Sequence, residues 1–255
     1  MRVSLSITES PHEDIRGQLA RIVRAADEGG LDTVWVADHL FQAAPGTSPD
    51  DPMLEAYTTL GYLAGRSERV RLGAMVSPAT YRAPALLLKA VESLNELSGG
   101  RAWLGVGAGY LEEEAQRFGL DLPPMPERFE RLERLLRLAD IHPILIGGTG
   151  ERRTLRLVAQ YADACNVFDI PDGGATIRRK LDVLKRHCEA VGRPYEEIEK
   201  TVSTRLNPGE DADAFSARCL ALRELGLDHV VVIVSGPWTE EQVGVLAHTI
   251  ARGDV

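Results

Sequence analysis

Pro143–Asn166 reads PILIGGTGERRTLRLVAQYADACN. An apolar run over 143–147 predicts a strand. Three glycines in the four residues 147–150 break it, a helix follows over 151–161, and ACNVF (164–168) predicts a second strand. Strand, glycine turn, helix and strand in so short a span make a parallel βαβ unit.

The same alternation runs outward in both directions. Towards the N-terminus, strands are predicted at RVSLSI (2–7), TVWVA (33–37), RLGAMV (71–76) and AWLGVG (102–107). Between them, Ile15, Leu19, Ile22, Val23 and Ala26 fall at helical spacing, as do Leu87, Val91, Leu94 and Leu97, and Phe129, Leu132, Leu135 and Leu136. A further helix is expected over 53–66. Towards the C-terminus, TVSTR (201–205) and HVVVIV (229–234) alternate with helices over 174–191, 211–225 and 239–251. Ser10–Glu13 and Thr239–Gln242 both read as capping boxes. Nearly all-apolar strands are what a parallel sheet buried on both faces requires. Eight strands alternating with eight helices predict an α/β fold, a single (β/α)8 TIM barrel spanning residues 1–255. An open doubly wound sheet fits less well. Its dinucleotide turn should follow the first strand, and Thr8-Glu9-Ser10-Pro11 contains no glycine there.

Composition removes whole classes of function. There are 29 Lys and Arg against 38 Asp and Glu, for a formal net charge of −9, so no basic face is left over for nucleic acid or an anionic membrane. No stretch approaches the ~20 apolar residues of a membrane span, and MRVSLSITESPHED has no apolar signal core. Three scattered cysteines, Cys165, Cys188 and Cys219, make neither a disulfide frame nor a metal site. A cytoplasmic protein acting on a small molecule, without metal, is the expectation.

Function in such a barrel sits where strands end and βα loops begin. That rule selects Asp38-His39, Gly107-Ala108-Gly109-Tyr110, Gly147–Gly150, Arg205 and Trp238. The turn 147–150 brings backbone N–H groups and a helix N-terminus together, which suits a phosphate, with Arg152 and Arg153 near by. A tight turn needing positive φ explains three glycines equally. Gly105–Gly109 is not a nucleotide loop. It suits close approach to a flat ligand or a bulged strand end. Asp38-His39 is either an acid–base pair or a loop-capping carboxylate beside a half-exposed histidine. Glu112-Glu113-Glu114 reads as a solvated acidic helix start. His12, His187 and His248 fall on helices, and His142 and His229 on the opposite, stability face of the barrel.

Thr33–His39 (TVWVADH), Arg69–Pro84 (RVRLGAMVSPATYRAP), Leu97–Tyr110 (LSGGRAWLGVGAGY), Glu127–Leu132 (ERFERL) and Pro143–Asn166 together resemble the bacterial luciferase-like family. They are most similar to its deazaflavin (coenzyme F420)-dependent oxidoreductases. The resemblance implies a TIM barrel that moves a hydride between F420 and an organic substrate, commonly as a homodimer. It implies that Asp38 and His39 stand beside the deazaflavin ring as catalytic residues. Met75 and Val76 would form a bulge, often with a non-proline cis peptide, backing the ring, and Gly107 and Gly109 would line it. Gly147, Gly148, Thr149 and Gly150 would hold the phosphate of the coenzyme tail. On the substrate side the rim adds Tyr110, Arg205 and Trp238.

Two departures stand out. Sugar-phosphate dehydrogenases of this family place a glutamate where this chain has Tyr110. The excursion usual between the fourth helix and the fifth strand is shortened here, for Leu138–Ile141 lead almost directly into His142-Pro143. An open substrate side is expected to result. An FMN-dependent luciferase-like monooxygenase is the alternative within the family. A non-catalytic flavin-binding barrel and a flavin-free isomerase or aldolase barrel are alternatives of other classes, the last lacking a strand-end lysine for Schiff-base work.

Overall fold

The computed structural model describes residues 1–253. Nine strand segments form a closed parallel barrel: β1 Arg2–Ile7, β2 Thr33–Val36, β3 Arg71–Ala74, β4 Ser77–Pro78, β5 Ala102–Gly107, β6 Ile144–Gly147, β7 Ala164–Phe168, β8 Glu199–Arg205 and β9 His229–Ile233. Their order around the barrel is β3-β2-β1-β9-β8-β7-β6-β5-β4, and β3–β5 pairing closes the ring. β3 and β4 are one strand interrupted, so the eight expected strands are all present. The interruption is a bulge. Gly73 faces Trp103 and Ser77 faces Val106, so residues 74–76 stand opposite only 104 and 105. The peptide Met75–Val76 within it is cis. One extra residue bends a strand and re-aims its side chains.

The outer ring comprises α1 Ile15–Glu28, α2 Ala56–Ala64, α3 Pro84–Ser98, α4 Glu112–Phe118, α5 Met125–Leu138, α6 Thr154–Tyr161, α7 Ala175–Val191, α8 Ala212–Glu224 and α9 Glu240–Ala251. All but α4 turn buried apolar side chains onto the barrel. On α5 these are Leu132, Leu135 and Leu136, all buried, each contributing about 1.5–3 kcal/mol. α4 is additional to the strand–helix alternation, inserted between β5 and α5. The capping box expected at Ser10–Glu13 does not form. Asp14 instead caps α1, its side chain accepting from the N–H of Gly17, because residues 8–14 run through bends and irregular backbone and the helix begins only at Ile15. The box at Thr239–Gln242 is formed on both sides. Residues 139–143 alone join α5 to β6, through a cis His142–Pro143 bond.

Inside the barrel, Trp35 and Trp103 pack with centroids 5.6 Å apart, together with Leu145, Ala164 and Val231, and Met75 and Val76 lie against this cluster. Gly73 makes room for it, since a Cβ there would come within 2.7 Å of the Trp35 ring. The N-terminal mouth is closed by polar pairs. His229 is buried, with Nε2 2.5 Å from Ser4 Oγ and Nδ1 2.6 Å from Glu199. Although this resembles a Ser–His–Glu relay, Ser4 is itself fully buried and accepts the Thr33 N–H at 2.9 Å. The set knits β1, β2, β8 and β9 together at the stability face, as expected for His229.

Candidate functional site

A cleft of about 630 Å³ opens at the C-terminal end of the strands. Its floor is the bulge: both Met75 and Val76 line it. The glycines of the neighbouring strand ends exist largely to accommodate that bulge. A Cβ on Gly107 would stand 3.0 Å from a Val76 methyl, and one on Gly147 2.8 Å from the same methyl. A Cβ on Gly105 would sit 1.9 Å from the Ala74 carbonyl oxygen. Of the two readings of Gly105–Gly109, the bulged neighbour therefore accounts for Gly105. Gly107 and Gly109 also border the cleft.

Gly147, Gly148, Thr149 and Gly150 form one wall. Gly148 has φ +105°, a conformation that costs any other residue steric strain. α6 starts just beyond this turn with no side-chain cap, so its first N–H groups are not satisfied by a side chain. Arg152 and Arg153 do not border the cleft. Arg153 instead lies 5.4 Å over the ring of Phe129.

Asp38 and His39 part company. The Asp38 carboxylate is fully buried behind the cleft wall. It accepts two hydrogen bonds from Arg82, at 2.6 and 2.9 Å, and one from Ser77 at 2.5 Å. With the Ser77 proton committed to Asp38, Tyr57 donates to Ser77 in turn, at 3.0 Å. Arg82 also reaches Glu55 at 2.6 Å. Burial pulls the Arg82 pKa down, but bonds and charge from Asp38 and Glu55 outweigh it and hold the guanidinium more firmly protonated than usual. Burial drives the Tyr57 hydroxyl above its ordinary value.

His39 borders the cleft, with its side chain 20% exposed. Its Nδ1 is 3.0 Å from Oε2 of Glu114, and the Tyr110 ring meets it edge-on at 6.0 Å. Glu114 is the group the sequence reading missed. Far from being solvated with Glu112 and Glu113, its side chain is fully buried. It accepts from the Leu40 N–H and the Tyr81 hydroxyl as well.

Tyr110, beside His39, and Arg205 both line the cleft as expected. Trp238 does not. Its indole is buried, with Nε1 donating to the Ser6 carbonyl at 2.9 Å. The cleft also takes in Glu9, whose carboxylate accepts the Gly236 N–H at 2.9 Å, and Asn166, hydrogen-bonded to Ser203 at 2.9 Å. The loop after β2 supplies Gln42–Pro45. It is docked by Phe41 stacked on Phe118 and by an Arg117–Asp50 pair at 3.0 Å. It forms one wall but does not fill the cleft, and Tyr110 remains 69% exposed at the mouth. Among the described residues no His, Cys, Asp or Glu cluster could hold a metal ion, and no helix is long and apolar enough to cross a membrane.

The barrel thus ends in a glycine-lined cleft over a bulged strand, and the chain belongs to the luciferase-like monooxygenase family, whose pattern matches residues 3–140. Among its relatives is an F420-dependent glucose-6-phosphate dehydrogenase of Kineococcus radiotolerans, 36% identical over 237 residues, covering 82% of this chain and 69% of the relative. Another, of the same name, from Amycolatopsis mediterranei is 28% identical and covers 73% of this chain and 63% of the relative. The chain thus spans about two-thirds of the length of these relatives. In fold it is similar to an F420-dependent secondary alcohol dehydrogenase, at TM-score 0.79 and 15% identity over 98% of both chains. The F420-dependent tetrahydromethanopterin reductase of Methanopyrus kandleri gives TM-score 0.78 and 15% identity over 100% of both.

Proposed function

We propose that this protein is an F420-dependent oxidoreductase that moves a hydride between the deazaflavin and an alcohol or carbonyl substrate. The observation that carries the reading is one cleft holding three parts: the glycine turn, the bulge floor and His39. Relatives named as F420-dependent enzymes support the choice of coenzyme. The residues present fit it. A turn with Gly148 at φ +105° and an uncapped helix start beyond it suit the tail phosphate. Met75 and Val76 offer an apolar floor for a ring, bordered by Gly107 and Gly109. Bound there, F420 supplies hydride chemistry at C5, and the protein's part is to bind, orient and exclude side reactions. His39 takes or gives the hydroxyl proton of the substrate, and Tyr110 and Arg205 shape the side from which the substrate enters.

The cleft also constrains the substrate. Among the described residues lining it, Arg205 is the one lysine or arginine, and Tyr110 stands where the sugar-phosphate dehydrogenases carry glutamate. A substrate with at most one negative charge fits this better than a sugar phosphate. Neutral secondary alcohols are expected to be oxidised with higher kcat/KM than glucose 6-phosphate. The reverse order would overturn the substrate reading.

The coenzyme reading is tested by mass spectrometry of ligand released from protein made in a deazaflavin-producing host. F420 is the expected mass, and FMN in its place would overturn the reading. The turn is tested with Gly148→Asp and Gly148→Ala. Alanine carries the strain of positive φ alone, whereas aspartate adds a charge that repels phosphate. The aspartate variant is expected to bind F420 more than about tenfold more weakly than the alanine variant, roughly 1.4 kcal/mol. Equal affinities in two folded variants would remove the phosphate from this turn.

A further inference from the structure

We infer that Glu114 is the positioning residue that sets the tautomer of His39, leaving Nε2 as the proton acceptor of the site. The inference deepens the role given to His39 above and rests on that reading for its catalytic consequence, but the tautomer can be observed without any cofactor.

Glu114 lies in the first turn of α4 and meets three donors that come from two other loops. His39 and Leu40 follow β2, and Tyr81 follows β4. One carboxylate therefore ties three βα loops together on one side of the cleft. An ionised carboxylate can only accept, so Nδ1, 3.0 Å from Oε2, carries the imidazole proton. Neutral imidazole has one N–H, and the other nitrogen, Nε2, is then left with its lone pair. A hydrogen bond to the remote nitrogen is the usual way a protein chooses which nitrogen of a histidine is reactive.

The Leu40 N–H makes the choice directional. It is a fixed backbone donor to Oε1 of Glu114. In Glu114→Gln, the amide oxygen is needed at that position, which turns the amide NH2 towards His39. Nδ1 must then accept, the proton moves to Nε2, and the reactive nitrogen becomes a donor. The variant is nearly isosteric and keeps its bond to Leu40, and the Tyr81 hydroxyl, which can accept as well as donate, turns to accept from the NH2. In Glu114→Asp the carboxylate survives, on a shorter arm, and the proton stays on Nδ1.

The measurement is ¹⁵N NMR of the histidine rings in the chain as purified, recorded at high pH on the neutral ring, with the His39 signals assigned by their loss in His39→Asn. Wild type should show a protonated Nδ1 and a bare Nε2, Glu114→Gln the reverse, and Glu114→Asp the wild-type pattern. With F420 and an alcohol substrate, kcat should fall about 10²-fold or more in Glu114→Gln, the scale of losing an acid–base group. It should be partly restored in Glu114→Asp. A purely structural carboxylate would lower thermal stability in both variants without moving the ring proton. A wild-type ring protonated at Nε2 overturns the inference, even if neither variant folds. So does a Glu114→Gln protein that keeps the Nδ1 proton, or one that flips the tautomer at undiminished kcat. Failure to bind F420 would count against the coenzyme reading and leave the tautomer result standing.

Discussion

His39→Ala is expected to lose about 10²-fold or more in kcat while its melting temperature stays within a few degrees of wild type. The side chain is partly exposed, borders the cleft and makes one hydrogen bond, to Glu114. Its removal leaves Glu114 with the Leu40 N–H and the Tyr81 hydroxyl, so no buried charge is stranded. A group that only oriented the coenzyme ring would show its loss first in the Kd for F420. A proton-transfer group shows it in kcat at saturating coenzyme. Titrating F420 fluorescence against each protein and then measuring turnover at saturation separates the two. Wild-type kcat in the variant, or a loss that tracks the unfolded fraction, would take His39 out of the chemistry.

That Asp38 and His39, adjacent in sequence, face different surroundings has a physical explanation. Successive side chains in extended backbone point to opposite sides. Asp38 and His39 lie just beyond β2, after Ala37, so a pair that reads as one acid–base unit divides. One member turns into the cleft and the other into the packing behind it. The alternating strands and helices were legible because burial on both faces leaves near-continuous apolar runs, and the glycine turn because three glycines in four residues mark the break between a strand and a helix. Glu114 was not legible. Its partners are 33, 74 and 75 residues away, and in a run of three glutamates nothing local marks the one that turns inward. The neighbouring Ala115, also buried, is the only hint that this face of α4 packs inward. Trp238 failed for a related reason. Position just past a strand predicts the rim, but its indole finds the Ser6 carbonyl inside. The bulge at Met75–Val76 came from the resemblance alone, because a one-residue offset between paired strands leaves no periodic trace.

Asp38→Ala tests the other half of the divided pair, and here the expected loss is in stability. Removing one partner of a buried ion pair is far worse than replacing both, since the survivor keeps its desolvation cost without compensation. The Asp38 side chain is fully buried and that of Arg82 is partly buried, 14% exposed. The guanidinium would retain Glu55, but that carboxylate is 42% exposed and its attraction is correspondingly screened. The buried Ser77 hydroxyl would lose its acceptor and keep only the bond it receives from Tyr57. The low end of the range for broken buried pairs, about 3 kcal/mol, is therefore appropriate. For a chain of this size that corresponds to roughly 6–12 °C in melting temperature. Arg82→Leu should recover part of the loss when combined with Asp38→Ala, because the double variant strands no charge. The resulting cycle measures the coupling directly. Assayed well below its melting temperature, Asp38→Ala should keep far more of kcat than His39→Ala does. A variant that melts like wild type yet turns over as slowly as His39→Ala would return Asp38 to the reaction and make Arg82 its partner in catalysis.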